Sequence, residues 1–171
     1  GFIEASAAGA RCRIPLVVGE EIKTISDFNV GGEWKVKTSS HRIAGSMDIT
    51  VAKMEEEKKV VGWMRFEIEK GAEQTSMDIQ RTIPLAAEPR KIGLSIKGAV
   101  RNCSLYGYFV DSFEHEHSLL FSTNIEFADW SRLVAEIPKG VAYPIVWKRF
   151  SLESPPNDNK ISGTLFLQGF E

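Results

Sequence analysis

Short runs of alternating apolar and polar residues follow one another along most of the chain, and most are bounded by Gly, Pro, Asn, Asp or Ser. A period of two places successive side chains on opposite faces of a β-strand. No run with a period of 3.6 exceeds two turns. The pattern therefore predicts an all-β domain, a two-sheet antiparallel β-sandwich. The predicted strands are "RIPLVVG", "EIKTISDF", "EWKVKTS", "SMDITVAK", "KVVGWMRFEIE", "TSMDIQRTIPL", "KIGLSIKG", "SLYGYFVD", "HSLLFST", "RLVAEIP", "YPIVWKRFSLE" and "SGTLFLQGF".

Two segments depart from this pattern. Residues 1–14 begin with a stretch of small, Ala-rich sequence, which is typical of a linker or the end of a preceding segment, so the sandwich domain is predicted over residues 15–171. The charged run "KMEEEKK" has Met54 as its only apolar residue. It is therefore predicted to be a solvated hairpin turn and not a helix.

Composition and charge limit the classes of molecule that the chain is expected to bind. The 171 residues are 43% hydrophobic and 26% charged, which is ordinary for one domain with a single core. A formal net charge of -2 gives no basic field for nucleic acid, and no apolar run is long enough to span a membrane. The first residues carry no export signal, which leaves two expectations: an intracellular protein, or one whose signal and neighbouring domains have been removed.

Candidate catalytic and metal-binding chemistry is sparse. His115 and His117 in "EHEH" could form part of a zinc site with nearby Glu residues or His41, or they could simply lie in a solvated turn. Cys12 and Cys103 could form one disulfide, or they could be two unrelated thiols. The sequence contains no Gly-rich phosphate loop, no nucleophile elbow and no Cys with a nearby His base, so we do not expect an enzyme.

The strand "VVGWMRFEIE" places an aromatic side chain among charged ones. Alternation predicts one face for the core, made of Met64, Phe66 and Ile68, and an outward face made of Trp63, Arg65 and Glu67. An outward Trp with polar flanks suits sugar recognition, because a pyranose stacks its apolar face on an aromatic ring while charged groups bind its hydroxyls. The alternative is that a loop or a neighbouring domain covers Trp63.

A second aromatic pair occurs in "SLYGYFVD". Tyr106 and Tyr108 share one face, which points outward if Leu105 and Phe109 point inward. The two phenols would then add to a glycan platform, and burial behind a loop is the competing interpretation.

The order of several blocks resembles that of jelly-roll carbohydrate-binding-module-like domains. These blocks are "ISDFNVGGEW", "GWMRFEIE", "IPLAAEPRKIGLSIKG", "LYGYFVDSFEHE", "IEFADWSRLVAEIP" and "YPIVWKRFSLESPPNDNKISGTLFLQGF", and they cover the chain from about Ile22 to Glu171. Such domains occur in secreted bacterial polysaccharide-degrading enzymes and at the C-terminus of some phosphodiester-glycosidase-like proteins. The resemblance implies a jelly-roll sandwich with Asp111 before a turn and with Trp130 in the core, after a turn that begins at Asp129.

The resemblance also implies a structural calcium ion, but the sequence departs from it at the last strand. Gln168 and Gly169 stand where many such modules carry an aspartate. The other candidate ligands are Glu20, Glu21 and Asp27. Three carboxylates provide few ligands for an ion that prefers six to eight oxygen atoms. The sequence therefore leaves two alternatives open, a structural calcium ion or none.

These observations lead to one functional expectation and one alternative. We expect a non-catalytic carbohydrate-binding accessory module of a larger secreted or cell-surface protein, with a polysaccharide or oligosaccharide and the neighbouring domains as partners. Sugar faces would stack on Trp63, Tyr106 and Tyr108, and hydroxyls would bind to Arg65, Glu67 and Asp111. The alternative is a structural sandwich that packs against a catalytic domain or another copy.

Overall fold

The computed structural model describes residues 2–7, 10–15, 22–26, 28, 33–54, 57–85 and 88–171, and every regular element in them is a β-strand. The strands are β1 (Phe2–Ala7), β2 (Ala10–Pro15), β3 (Lys35–Thr38), β4 (Ile43–Met54), β5 (Glu57–Ile68), β6 (Thr75–Leu85), β7 (Lys91–Val100), β8 (Ser104–Val110), β9 (Glu116–Ser122), β10 (Ile125–Glu136), β11 (Ile145–Ser154) and β12 (Ile161–Gln168).

Ten of these strands form two antiparallel five-stranded sheets. Sheet I has the strand order β10-β7-β12-β5-β4, and sheet II has the order β3-β6-β11-β8-β9. The inward side chains of both sheets form one buried cluster. This arrangement confirms the predicted jelly-roll-like β-sandwich.

The strand predictions hold for most of the chain, with two differences near its start. The segment "EIKTISDF" is not a strand where it is described, because only Ser26 pairs, in an isolated bridge with Phe170. Strands β1 and β2 form a separate antiparallel hairpin within the region predicted as a linker. The boundary at residue 14 stays a prediction. The described residues of the charged run, 53–54 and 57–59, lie at the ends of β4 and β5, where Met54 pairs with Glu57 as expected of a hairpin. Residues 55 and 56 lie outside the described residues.

The core is rich in aromatic rings. Trp147 lies with its ring centroid 4.7 Å from that of Phe150 and 4.6 Å from that of Phe170, and Trp34 stacks on Phe28 at 4.8 Å. Trp34 and Trp147 are both buried. Both indoles therefore belong to the core between the sheets.

Trp130 is a correction to the sequence analysis. It is only half-buried and does not belong to the core cluster, because it lies in an irregularity of β10 between Phe127 and Ser131. Ser131 pairs opposite the buried Ile96, so its neighbour Trp130 falls on the other face of the strand. The turn predicted at Asp129 is this same irregularity within one long strand.

Candidate functional site

The structure places the six predicted contact residues in three separate locations. Trp63, Arg65 and Glu67 lie on the outer face of sheet I, whereas Tyr106 and Tyr108 lie on the outer face of sheet II. The inward neighbours of these residues pack into the single core between the sheets, so the two outer faces point in opposite directions. Asp111 lies in the turn after β8. One ligand therefore cannot stack on Trp63 and on the tyrosine pair together.

The ring of Trp63 already contacts a charged side chain. The guanidinium of Arg65 lies 4.3 Å from the ring centroid, and its Nη2 is 3.3 Å from Asp48 Oδ2. The indole Nε1 is buried and has no hydrogen-bond partner among the described residues, while Val61 on the same face is fully buried. Arg65 therefore already covers one side of this ring.

Glu67, on the same face, is also paired. Its Oε1 lies 2.8 Å from Lys160 Nζ, and both side chains are more than half exposed. Such an exposed pair contributes little to stability.

The outer face of sheet II presents a pair of neighbouring aromatic rings. Along β8 the side chains alternate, with Leu105 and Phe109 buried and Tyr106 and Tyr108 half-buried on the outer side. The two phenol rings have centroids 6.3 Å apart and an angle of 41° between their planes. The outward alternation of the pair is thus as predicted, and the rings are neighbours on one surface.

Two polar side chains from the adjacent strand β11 hold Tyr108 in place. Its hydroxyl donates to Glu153 Oε1 at 2.7 Å, and the Arg149 guanidinium lies 3.9 Å from its ring centroid. Burial, with the Glu153 hydrogen bond adding to it, raises the pKa of Tyr108 above its usual range. The hydroxyl therefore stays protonated and remains a donor at physiological pH.

Arg149 links this ring to further acids. It donates to both oxygens of Glu116, at 2.6 and 3.3 Å, and its Nε lies 3.5 Å from Asp78 Oδ2. Ser151 Oγ donates to Asp78 Oδ1 at 2.7 Å. We name this surface the tyrosine face; it consists of Tyr106, Tyr108, Asp78, Arg149, Ser151 and Glu153.

A register shift in β11 places Arg149 on this face. Trp147 pairs with Phe109, and both point inward, whereas the pairing shifts between Trp147 and Arg149 so that Arg149 lies opposite Tyr108. Arg149, Asp78, Ser151 and Glu153 were not among the residues predicted from the sequence. Alternation in "KRFSLES" and "SMDIQ" could have marked some of them as outward, but the β6-β11-β8 pairing that joins them is not visible in the sequence.

Gly107, between the two tyrosines, permits the close approach beneath the face. A Cβ added there would lie 2.2 Å from Cη2 of the buried Trp147 and 2.8 Å from Cε2 of Phe121. Only glycine therefore fits without a shift of the core, and it lets β8 lie directly on the indole.

Asp111 closes the turn before β9 instead of lying on either aromatic surface. It is buried and accepts hydrogen bonds from the backbone N–H groups of Phe113 (2.9 Å) and His115 (3.0 Å), and its Oδ2 lies 2.9 Å from His117 Nε2. The hydrogen bond with His117 is the main reason that the pKa of Asp111 falls to about 2. Its oxygen atoms are engaged within the turn.

The described residues give no direct evidence for a metal site or a disulfide. They contain no group of three or more His, Cys, Asp or Glu side chains that could hold a metal ion. The calcium candidates Glu20, Glu21 and Asp27 lie outside the described residues, so calcium stays a prediction. Cys103 is a free, buried thiol, and the side chain of Cys12 lies outside what the structure describes.

The described part of the chain contains no helix long and apolar enough to cross a membrane.

Comparison with known proteins gives matches of structure alone. No protein-family model and no curated protein matches the chain. A solved structure from work on the promiscuous specificity of carbohydrate-binding modules from the β-sandwich superfamily is similar with a TM-score of 0.61 and 10% identity, over 95% of this chain and 65% of that one. The chain thus spans less than two thirds of that structure's length.

Two further solved structures match along most of their own length. The family 11 carbohydrate-binding module of a cellulosomal cellulase of Clostridium thermocellum is similar with a TM-score of 0.57 and 13% identity, over 86% of this chain and 91% of that one. A family 61 module in complex with beta-1,4-galactotriose is similar with a TM-score of 0.52 and 13% identity, over 86% and 96%. The chain therefore has the β-sandwich, jelly-roll-like fold of carbohydrate-binding modules.

Proposed function

We propose that this chain is a non-catalytic carbohydrate-binding module that binds a polysaccharide on the tyrosine face. We further propose that it serves as an accessory domain of a larger secreted or cell-surface protein. The observation that carries the proposal is the pair of neighbouring outward rings, Tyr106 and Tyr108, bordered by charged groups that are already held in place. The β-sandwich modules that share its fold support the same class of ligand.

The chemistry of the tyrosine face suits a neutral sugar chain. Tyrosine rings offer flat apolar surface to the C–H face of a pyranose, and the two rings lie close enough to contact adjacent parts of one ligand. Asp78 and Glu153 supply acceptors for hydroxyl groups, and Arg149 supplies donors. These polar groups are fixed by mutual hydrogen bonds, so binding needs little further ordering of side chains.

The Trp63 face is the rival location for the same function. Its ring is covered on one side by Arg65, and its Nε1 is buried. On the tyrosine face, none of the described cationic side chains stacks on the ring of Tyr106. Because Arg149 lies over the ring of Tyr108 as Arg65 lies over that of Trp63, we assign the main stacking role to Tyr106, with Tyr108 beside it, and not to Trp63.

The test is binding of the whole chain to insoluble α- and β-glucans, xylan and chitin, followed by single substitutions. Tyr106→Ala should weaken binding at least about tenfold, which corresponds to about 1.4 kcal/mol. The matched control is Trp63→Ala, an aromatic truncation on the opposite surface, which should leave affinity unchanged. Loss of affinity in the Trp63 variant alone would move the site to sheet I, and binding to no glycan would count against the function itself.

The alternative function is a structural sandwich that packs against a catalytic domain or another copy. It predicts a large exposed apolar patch. The exposed large hydrophobic side chains among the described residues each belong to a different strand or loop: Ile22, Val60, Phe113, Leu120 and Val134. Their dispersion favours sugar binding over a docking module.

A further inference from the structure

A depression of about 350 Å³ lies where three connections between strands meet. The β7–β8 turn contributes Asn102, the β9–β10 turn contributes Thr123, and the β11–β12 loop contributes Asp158. Ser104, the first residue of β8, also lines it. The volume is near the lower end of the range for sites that bind small molecules, about 300–1,000 Å³. We name this depression the end pocket.

The end pocket continues the tyrosine face. Ser104 belongs to the same outward row of β8 as Tyr106 and Tyr108, and it pairs opposite Glu153, the acceptor for the Tyr108 hydroxyl. Outward residues of a strand recur about every 6.8 Å, so the row from Tyr108 to Ser104 spans about 14 Å. A ligand that lies along β8 and contacts both rings would therefore reach the end pocket.

The β11–β12 loop forms one side of the pocket and is fastened to the neighbouring turn. The backbone N–H of Gly71 donates to the carbonyl of Asn157 at 3.0 Å, and the N–H of Asn157 donates to the carbonyl of Ala72 at 3.1 Å. Pro155 and Pro156 add rigidity and apolar surface to the same side. The loop is therefore held in place and forms a wall of the pocket.

One lining residue has unused hydrogen-bonding capacity. Both polar side-chain atoms of Asn157 are enclosed and have no partner among the described residues. A buried amide without partners costs free energy, which a hydroxyl group or a water that reaches it would recover.

We propose that the end pocket receives the terminal sugar residue of the glycan bound on the tyrosine face. This inference rests on the proposed function. The described lining of the pocket has amide and hydroxyl groups, a single carboxylate and two proline faces, which suit a neutral, polyhydroxylated ring, and no basic side chain to hold an anion. Because the wall at residues 155–159 stands at the end of the row, the pocket receives a chain end in preference to an internal residue.

The test uses the polysaccharide that binds most tightly, cut by partial hydrolysis into fractions of decreasing chain length. At a fixed mass concentration of glycan, shorter fractions that still span the tyrosine face carry more ends. The amount of bound protein should rise in proportion to the number of ends if the end pocket is used. Internal binding along the chain gives the same amount for every such fraction and would overturn the inference.

Substitutions in the end pocket provide a second readout. Asp158→Ala and, separately, Ser104→Ala should each weaken binding of the short fractions about five- to tenfold. Glu136→Ala, which removes an exposed acid at the end of β10 and outside the pocket, is the control and should leave affinity unchanged. Unchanged affinity in both pocket variants overturns this inference while the proposed function stands, provided that Tyr106→Ala still weakens binding. If no glycan binds to the wild-type chain, both proposals fail.

Discussion

Gly107→Ala tests whether β8 lies directly on the aromatic core. The added Cβ would lie 2.2 Å from Cη2 of Trp147, whereas an ordinary contact is at least 3.4 Å. The indole has no room to retreat, because it is fully buried and packs against Phe150 and Phe170 with centroid distances of 4.7 and 4.6 Å. Overpacking of this kind costs about 1–3 kcal/mol. For a domain of this size that cost lowers Tm by about 2–12 °C.

The matched control is Gly93→Ala, another strand glycine without a positive φ. The atoms nearest to its added Cβ would be side-chain atoms of Arg132 and Glu171, at 3.4 and 3.5 Å. Alanine at such a position lowers the entropy of the unfolded chain, so Tm should stay the same or rise slightly. Thermal unfolding followed by circular dichroism measures both variants. Equal Tm values for Gly107→Ala and the wild type would refute the packing of β8 on Trp147.

Three further predictions concern the polar and thiol groups. Arg149→Met should lower the free energy of unfolding by about 1 kcal/mol in urea titrations, and the loss should shrink at high salt, because an ion pair and a cation–π contact are removed. Asp111 has its pKa lowered from 3.8 to about 2, so its charge stabilises the fold above about pH 4. Asp111→Asn should lower Tm at pH 7, and the difference from wild type should shrink as the pH falls from 4 to 2; a constant difference would contradict the assignment. Burial raises the pKa of Cys103 to about 11, so iodoacetamide at pH 8 should label its peptide only after unfolding, as read by mass spectrometry.

The sequence was most informative where alternation is regular. In β5 and β8 a period of two correctly separates buried residues such as Met64 and Phe109 from outward ones. It was least informative where a strand is irregular. In β10 the register shift turns Trp130 away from the core, and in β11 a similar shift sets Arg149 opposite Tyr108. A bulge changes which face a residue occupies without leaving a clear signal in composition.

The site was harder to predict than the fold, because it depends on which strands are neighbours. Trp63 and Tyr108 both have outward alternation, yet they belong to different sheets whose outer faces point in opposite directions. Glu153 and Tyr108 are 45 residues apart and meet only because β11 pairs with β8. Long-range strand pairing of this kind is set by the packing of the whole sandwich and not by local pattern.

The central claim is that a glycan contacts the tyrosine face, and NMR titration tests it most directly. The isotopically labelled chain would be titrated with an oligosaccharide prepared from the polysaccharide that it binds. We expect the largest amide shifts at Tyr106 and Tyr108 in β8 and at Arg149 in β11, with the indole signal of Trp63 unchanged. Shifts centred on Trp63 and Arg65, with β8 unaffected, would contradict the account.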